Sequence, residues 1–225
     1  EGDRFTQYNI TDKVVEADSV RILPPSDPSK IVCVGLNYAD HAAEMGLAAP
    51  EEPVIFIKPA TTIIAHGEKI KIPAQSSQVE FEAELAIVIK NEIKDIDEDE
   101  VMDNILGFTC FNDVTARDLQ KKDGQWTRAK SFDTFGPVGP FVRKNVDPDN
   151  LDISLSVNGE IKQHSNTSQF IFKTKKLVSF ISSVMTLYRG DIISTGTPAG
   201  ISALKKGDVV EVEIEGIGKL TNFVE

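Results

Sequence analysis

Polar and apolar residues alternate from residue 79, and this pattern predicts a β-strand over 79–89. Neighbouring side chains of a strand point to opposite faces, so Glu80, Glu82 and Glu84 share one face. The opposite face carries Phe81, Ala83, Leu85, Ile87 and Ile89. Two interpretations stay open. The acids line the wet face of an antiparallel strand, or they are half-buried and gather a cation.

The continuation of the acidic face bears on this choice. Beyond Glu84 the same side carries Ala86 and Val88, which indicates that it runs into a covered region. Carboxylates spaced roughly 7 Å apart along a strand repel unless water, a basic side chain or a cation offsets their charge. A half-buried carboxylate needs such a partner, and a hard divalent cation is the usual one.

The other patterns predict an α+β, β-rich body with short helices. Apolar runs bounded by Gly and Pro predict strands at 31–34, 54–57, 61–65, 69–72 and 107–113. Asn158-Gly159 favours a two-residue turn between strands at 151–157 and 160–163. Helical spacing predicts helices at 36–46, 95–105, 114–122 and 177–187. In the last helix the expected inward residues are Leu177, Val178, Ile181, Val184 and Met185.

Length and composition fit a single globular domain. The chain has 225 residues, of which 40% are hydrophobic and 26% are charged, so it can bury a sizeable core. The cluster of Pro and Ser at 24–29 is typical of a connector. We therefore expect a short N-terminal appendage and connector at 1–30 and the main domain at 31–225.

Charge and cysteine content narrow the classes of partner. The net charge of -11 and the absence of a basic stripe exclude nucleic acid as an expected partner. No run approaches the roughly 18 apolar residues of a membrane span. Cys33 and Cys110 lie in apolar runs, which predicts buried thiols in a reducing compartment. With no secretory signal pattern at the start, we expect a cytoplasmic protein that acts on small molecules.

His41 and Glu44 are candidates for acid–base chemistry because they lie three residues apart on a predicted helix that follows a strand and a glycine. A histidine titrates close to neutrality and can pass a proton in either direction, and a neighbouring carboxylate can orient it. The alternative is an ordinary exposed helical pair. The chain has only 3 histidines, which gives this one more weight.

Three further features admit a structural and a functional interpretation. Asp113 ends a predicted strand, where it can face a cleft or cap the next helix. Lys130 precedes a loop rich in Gly and Pro, and its default interpretation is a surface lysine. The loop at 195–200 offers hydroxyl groups and backbone amides, so it is a tight turn or a holder for a carboxylate or enolate oxygen.

Several stretches together resemble the fumarylacetoacetate hydrolase family, with its small acylpyruvase-like and 2-hydroxyhepta-2,4-diene-1,7-dioate isomerase-like members as the nearest types. They are GLNYADHAAEMG, FIKPAT, FEAELAIVI, NDVTARDLQ, WTRAKSFDTFGPVGPF, VNGEIKQ and GDIISTGTPAG. They run from residue 31 almost to the end of the chain. The resemblance implies a mixed β-roll with short peripheral helices, a catalytic domain at 31–225 and a homodimer.

The resemblance also implies roles for individual residues. The metal, Mg²⁺ or Mn²⁺ with Ca²⁺ as a substitute in crystals, would be held by Glu82, Glu84 and Asp113, while Glu80 falls outside this set. His41 and Glu44 match the pair that activates water, and Lys130 matches the lysine that polarises the substrate. The residues expected to contact the substrate are Arg117, Gln120 and Thr197.

The reaction implied by the resemblance is metal-dependent hydrolysis of a carbon–carbon bond in acylpyruvate-type 2,4-dioxo acids. The same site also suits isomerisation of 2-hydroxy-dienoates or decarboxylation of oxaloacetate. A member that binds an oxo acid without turnover is a further alternative. The name-giving hydrolases carry a substantial N-terminal domain that a chain of this length lacks, so fumarylacetoacetate itself is not the expected substrate.

Overall fold

The computed structural model describes residues 2–3, 5–9, 11–16, 19–40, 46 and 48–225. His41 and Glu44, the predicted acid–base pair, lie outside the described residues, as does the whole stretch 41–45 of the helix expected at 36–46. Over the ranges that are described, no helix is both long and apolar enough to span a membrane.

Strands dominate the fold. In chain order they are β1 (Lys30–Gly35), β2 (Val54–Pro59), β3 (Ile63–Ile64), β4 (Lys69–Ile70), β5 (Val79–Glu80), β6 (Ala83–Ile89), β7 (Ile105–Asn112), β8 (Thr115–Ala116), β9 (Gly136–Arg143), β10 (Asp152–Val157), β11 (Glu160–Asn166), β12 (Ile192–Ser194), β13 (Val209–Ile214) and β14 (Gly218–Val224). The α-helices that lie wholly within the described residues are α1 (Val101–Asn104), α2 (Arg117–Asp123), α3 (Thr127–Lys130) and α4 (Thr174–Val184).

A mixed sheet forms the centre of the molecule. In the described part of the chain it has seven strands, in the order β2-β1-β12-β6-β7-β9-β3. β1 pairs in parallel with β12, and β3 in parallel with β9, while the other neighbours are antiparallel. Since β12 lies between β1 and β6, segments that are distant in the chain meet in the middle of this sheet.

A second sheet packs against the first and encloses the core. Its order is β11-β10-β13-β14-β4 among the described strands, and it contacts β6, β7 and β9. The predicted hairpin at Asn158-Gly159 joins β10 to β11, and the positive φ angles of these two residues, 54° and 81°, fit the turn. The chain is therefore the β-rich α+β protein that the sequence predicts, and its helices are short and peripheral.

The acidic strand differs from the prediction in its length. The predicted strand at 79–89 is divided into β5, which pairs with β8, and β6, which pairs with β7 and β12. At residues 81–82 the chain passes from the small two-stranded sheet of β5 and β8 into the seven-stranded sheet. Because every residue of β6 is buried, both faces of this strand are covered, and the interpretation as a wet face is wrong.

Two helix predictions need correction. The helix expected at 95–105 begins later than predicted, because the Asp97 amide donates to the Glu100 side chain at 3.0 Å and a 3-10 turn starts there. It also ends one residue early, because Ile105 already belongs to β7. In α4 the inward positions Leu177, Val178 and Ile181 are confirmed. Val184, the last residue of α4, is 53% exposed and is not an inward position, whereas Met185 just after the helix is half-buried against the core.

Candidate active site

Three buried carboxylates form a cluster where β6 and β7 meet. Glu82 precedes β6, Glu84 lies on it, and Asp113 follows β7, whose last residue pairs with Ala83. Because the two strands are antiparallel neighbours, these positions are adjacent in space. One carboxylate oxygen from each side chain lies within 4.8 Å of the others. Asp113 does not cap α2, which begins at Arg117, so the capping interpretation is wrong.

Glu82 is the member of the cluster that basic side chains neutralise. It accepts from Lys130 Nζ at 2.8 Å and from Arg117 Nη2 at 2.5 Å. Burial raises the pKa of Glu82, but the positive charges of Lys130 and Arg117 outweigh it and lower the pKa to about 2. Glu82 is therefore an ionised carboxylate held in place by two cations.

Glu84 has the opposite environment. It accepts from the Ser194 hydroxyl and from the Gly196 amide, the latter at 2.9 Å. Burial raises the pKa of Glu84 well above its usual value, and the nearby charges of Asp113 and Glu82 raise it further. Among the described residues, no lysine or arginine nitrogen lies within 4 Å of its carboxylate. The loop at 195–200 thus binds a carboxylate of the protein itself through the Gly196 amide, and its contact with a ligand oxygen stays a prediction.

The donor set of this cluster fits a divalent cation. Three buried carboxylates offer the hard oxygen ligands that Mg²⁺ and Mn²⁺ prefer. A buried carboxylate without a cationic partner is unfavourable, and Glu84 is in that position. A cation between Glu84 and its two neighbours would remove this penalty.

Two buried lysines contact Asp113. Lys130 Nζ donates to Asp113 Oδ2 at 2.6 Å, and Lys58 Nζ donates to Asp113 Oδ1 at 2.5 Å and to the Val114 carbonyl at 3.1 Å. Lys130 is only 2% exposed, so its interpretation as a surface lysine is wrong. Burial lowers the pKa of Lys130, but Asp113 and Glu82 raise it more, so the group is an ammonium.

Lys58 is a site residue that the sequence analysis missed. The predicted strand at 54–57 ends just before Lys58 and Pro59, and the sequence indicates no role for Lys58. The signal was its position: Lys58 shares a face of β2 with Val54 and Phe56, and both of these line the cavity beside the cluster. A lysine on the inward face of an apolar strand needs an acidic partner, and Asp113 is that partner.

Arg117 and Gln120 lie together beside Glu82. Arg117 donates through Nε to Glu80 at 2.7 Å and through Nη1 to Gln120 Oε1 at 2.6 Å. Burial lowers the pKa of Arg117, whereas Glu82 and Glu80 raise it, so the guanidinium stays charged. Glu80 also accepts from Gln78 at 2.5 Å. Glu80 therefore secures Arg117 and takes no part in the three-acid cluster.

A cavity of about 530 Å³ opens onto the cluster. Its polar end contains Glu82, Glu84, Arg117, Gln120, Lys130 and Thr197. Its apolar wall contains Val34, Gly35, Leu36, Val54, Phe56 and Trp126. Trp126 packs edge-on against Phe56 at 5.1 Å and lies so close to Gly35 that a Cβ there would be 2.8 Å from the indole ring. Of the seven expected site residues in the described ranges, six line this cavity, and Asp113 lies behind the lining.

The buried acid cluster and its paired cations have a net negative charge when the exposed Lys121 of the cavity lining is left out. Glu80, Glu82, Glu84 and Asp113 face three buried or half-buried cations, which are Lys58, Arg117 and Lys130. With all groups ionised the described cluster carries one excess negative charge. A divalent cation would change this to one positive charge, which would attract an anionic ligand to the polar end.

Comparison with known proteins gives a match over most of the chain. A family model described as fumarylacetoacetate (FAA) hydrolase C-terminal matches residues 30–225. The chain is 44% identical over 224 residues to a mitochondrial oxaloacetate tautomerase from Xenopus laevis. The aligned region covers 94% of this chain and 70% of that protein.

Two solved structures have closely similar folds. One is described as a 2-hydroxyhepta-2,4-diene-1,7-dioate isomerase from Mycobacterium marinum, with a TM-score of 0.92 and 49% identity over 100% of this chain and 85% of that chain. The other is described as a 5-carboxymethyl-2-hydroxymuconate delta-isomerase from Mycobacterium smegmatis. It has a TM-score of 0.92 and 45% identity, and the aligned region covers 99% of this chain and 87% of that chain.

Proposed function

The chain belongs to the fumarylacetoacetate hydrolase C-terminal family, and on this basis we propose that it is a divalent-metal-dependent enzyme that moves a proton within 2-oxo acids. The reaction would be keto–enol tautomerisation or the related shift of a double bond. The observation that carries the proposal is the cluster of Glu82, Glu84 and Asp113 at the end of a cavity, with Glu84 lacking a cationic partner in the described part of the chain. The similar proteins named tautomerase and isomerase support it.

The metal would be held by Glu82, Glu84 and Asp113, and Mg²⁺ or Mn²⁺ suits three carboxylate oxygens. When bound, such an ion supplies a Lewis acid that stabilises negative charge on substrate oxygen atoms. The remaining chemistry depends on the side chains of the cavity.

Lys130 would stabilise the negative charge that develops on the 2-oxygen. Its ammonium has three N–H donors, of which one is donated to Glu82 and one to Asp113, so one remains for the substrate. When a proton leaves C3 of a 2-oxo acid, the electron pair is delocalised onto the 2-oxygen. An ammonium that is already in position stabilises this charge without reorganisation.

Arg117 and Gln120 would bind the carboxylate of the 2-oxo acid. The Arg117 guanidinium has five N–H donors, and the described acceptors Glu80, Glu82 and Gln120 take one each. Gln120 accepts from Arg117 through Oε1, which leaves its NH₂ group free to donate. Both residues line the cavity beside the acid cluster.

His41 is the proposed base that takes the proton from C3 and returns it. The assignment comes from the match of His41 and Glu44 to the family pair, because both residues lie outside the described ranges. An imidazole suits the role since its pKa is close to neutrality. The apolar wall around Phe56 and Trp126 would shield the carbanion from water.

Hydrolysis of acylpyruvate-type 2,4-dioxo acids is the second candidate function, because His41 and Glu44 match the family's water-activating pair. In this reaction water adds to the 4-oxo carbon and the bond between C3 and C4 breaks. The electron pair of that bond passes to the pyruvate enolate, which then takes a proton at C3. Lys130 would stabilise the same developing charge in both reactions.

The test compares three reactions under one set of conditions. With Mg²⁺ or Mn²⁺ present, the loss of enol absorbance from oxaloacetate measures tautomerisation, pyruvate formation from oxaloacetate measures decarboxylation, and loss of acetylpyruvate measures hydrolysis. We expect tautomerisation above the rate with metal alone, and a fall of about 100-fold or more in Lys130→Met. Lys176→Met, which changes an exposed lysine of α4, is the control.

The variant His41→Ala separates the candidates. Loss of tautomerisation in this variant supports the proposed base. Loss of hydrolysis with intact tautomerisation would instead limit His41 to activating water. A wild-type protein that accelerates none of the three reactions beyond the metal alone would contradict the proposed function.

A further inference from the structure

Gln163 is a buried amide that connects two parts of the cavity wall, although it lies on β11 in the second sheet. Its side chain is 1% exposed. Gln163 Oε1 accepts from the Ala83 amide at 2.9 Å, and Nε2 donates to Thr197 Oγ1 at 2.9 Å and to the Pro198 carbonyl at 2.8 Å. Both of its N–H donors and its carbonyl oxygen are thus in use.

These contacts tie the acid strand to the loop at 195–200. Ala83 lies between Glu82 and Glu84, so its amide is fixed between two of the proposed metal ligands. The loop also approaches β11 so closely that a Cβ at Gly200 would lie 2.3 Å from the Lys162 carbonyl oxygen. Glycine is required there, also because its φ is +100°.

The orientation of the Gln163 amide follows from its backbone partners. A backbone N–H can only donate, and a backbone carbonyl can only accept. Ala83 N therefore faces Oε1, and the Pro198 carbonyl faces Nε2. With this orientation fixed, Nε2 must be the donor to Thr197 Oγ1.

This polarity determines what Thr197 can offer to a ligand. A threonine hydroxyl carries one proton and can also accept. Since Thr197 Oγ1 accepts from Gln163, its own proton is free for another acceptor, and the described residues provide none. Thr197 lines the polar end of the cavity with Glu82 and Glu84. Its hydroxyl is therefore available as a donor at the place where an anionic ligand would bind.

We propose that Gln163 is a positioning residue that holds the Thr197 hydroxyl as a hydrogen-bond donor to an oxygen atom of the bound 2-oxo acid. The assignment rests on the proposed function, because that function supplies the ligand. The competing explanation is that Gln163 only joins the two sheets. In that case its removal would lower stability without acting through Thr197.

The experiment is a double-mutant cycle on ligand binding, with oxalate and Mg²⁺ as the probe. Trp126 is the single tryptophan and lines the cavity, so its fluorescence reports binding without turnover. The variants are Gln163→Met, Thr197→Val and the two combined. Asn222→Leu removes another buried amide, which donates to the Ala65 and Glu68 carbonyls away from the cavity, and is the matched control.

We expect Thr197→Val and Gln163→Met each to weaken oxalate binding about tenfold, with no further loss in the combined variant. Gln163→Met and Asn222→Leu should both lower the melting temperature, but Asn222→Leu should leave oxalate affinity unchanged. Rescue by Thr197→Ser, which keeps a hydroxyl, would add support.

Two results would overturn this role of Gln163. One is a combined variant whose loss equals the product of the two single losses, since Gln163 would then act independently of the hydroxyl. The other is an unchanged oxalate affinity in Thr197→Val, because the hydroxyl would then not bind the ligand. This result would overturn the role of Gln163 even if Gln163→Met does not fold. Failure of the proposed function itself looks different, because the wild-type protein would then bind no oxalate and turn over no 2-oxo acid.

Discussion

Glu82 and Glu84 are two residues apart, yet their surroundings favour opposite charge states. Lys130 and Arg117 stabilise the carboxylate of Glu82. Glu84 has hydrogen bonds from a hydroxyl and an amide but is repelled by the neighbouring carboxylates. One acid therefore contributes to stability, whereas the other carries an energetic cost that a bound cation would remove.

This contrast predicts opposite effects of the same substitution. Without metal, we expect Glu84→Gln to leave the free energy of unfolding unchanged or raise it by about 1 kcal/mol, because it removes a repelled charge and keeps an acceptor for the Gly196 amide. Glu82→Gln should lower it by about 3 kcal/mol, because two buried cations lose a partner.

Urea unfolding in the presence of a chelator measures both changes. Mn²⁺ titration of the same variants should give strongly weakened binding in each of them. Equal destabilisation by the two substitutions would contradict the difference between their environments.

Lys121 differs from the other basic residues that line the cavity in its ion pairing. Arg117 and Lys130 are paired with acids, whereas Lys121 has no acidic partner within 4 Å in the described part of the chain. It lies on the exposed side of α2 at the cavity rim. An ammonium there can attract a second carboxylate at the distal end of a substrate.

If the proposed function holds, Lys121→Met should raise the KM for dicarboxylic 2-oxo acids about fivefold, since an exposed ion pair contributes at most about 1 kcal/mol. The KM for monocarboxylic 2-oxo acids should stay the same. The neighbouring Lys122→Met is the control, because Lys122 is also exposed but does not line the cavity. Equal effects on both substrate classes would contradict a role in binding the distal carboxylate.

The candidate site could be predicted from sequence where the residue type and strand position both pointed to it. The alternation pattern placed Glu82 and Glu84 on one face with Glu80, the family resemblance added Asp113 and left Glu80 out, and the structure brings Glu82, Glu84 and Asp113 together. Their metal-binding role remains a prediction. Strand position could have marked Lys58 as inward-facing but not its partner Asp113, 55 residues away, and no local pattern connects Gln163 with Thr197, 34 residues away. Only the tertiary fold supplies such pairs.

At the scale of elements, Asp191 joins the parallel strands β1 and β12. Its buried side chain accepts from the backbone amides of Ser29, Lys30 and Tyr188, from the Ser29 hydroxyl, and from Lys30 Nζ at 2.5 Å. Burial raises the pKa of Asp191, but the hydrogen bonds from Lys30, Tyr188 and Ser29 lower it further than burial raises it. The net direction is a lowered pKa, so the native fold favours the ionised form.

We expect Asp191→Asn to lower the free energy of unfolding by about 2 kcal/mol at pH 7. The carboxylate contributes this stability fully above its unfolded-state pKa, about 3.9, and loses it as pH falls through the lower pKa of the folded state. The difference between wild type and variant should therefore shrink below about pH 4.

Unfolding by urea from pH 7 to pH 3 measures this dependence. Asp123→Asn breaks an exposed pair with Arg128 and is the control, because solvent screens such a pair and little stability should be lost. A constant difference across this pH range would contradict the role of the ionised carboxylate.

Secondary-structure elements were predicted correctly where a short local sequence determines how two of them are joined. The hairpin at Asn158-Gly159 is one example, because the turn sequence itself demands positive φ angles. The acidic strand is the opposite case. Alternation continues across residues 81–82, yet the chain changes sheets there, because β8 pairs with β5 and β7 with β6. Periodicity does not report which partner a strand has.

For the whole molecule, metal binding should be coupled to stability. An ion that binds only the folded state at 100 times its Kd adds about 2.7 kcal/mol, which corresponds to a rise of about 5–10 °C in Tm for a chain of this size. We expect Mn²⁺ to raise the Tm of the wild type and a chelator to reverse the rise. The same addition to Glu84→Gln should have little effect, and an equal rise in both proteins would indicate binding elsewhere.

The homodimer implied by the family resemblance remains a prediction. Light scattering coupled to size exclusion would measure the molar mass in solution. A mass of about 50 kDa, twice the 24.7 kDa of one chain, is the expected result. A mass of one chain at micromolar concentration would contradict it.

The position of β12 also determines when this protein can complete its fold during synthesis. β1 and β6 each pair with β12, which follows them by more than 100 residues. Until the ribosome has released residues 192–196, the facing edges of β1 and β6 stay unpaired, and Glu84 lacks its contacts to Ser194 and Gly196. Unpaired edges in a growing chain invite pairing with other chains. Such a nascent chain depends on the late arrival of one three-residue strand to close its central sheet.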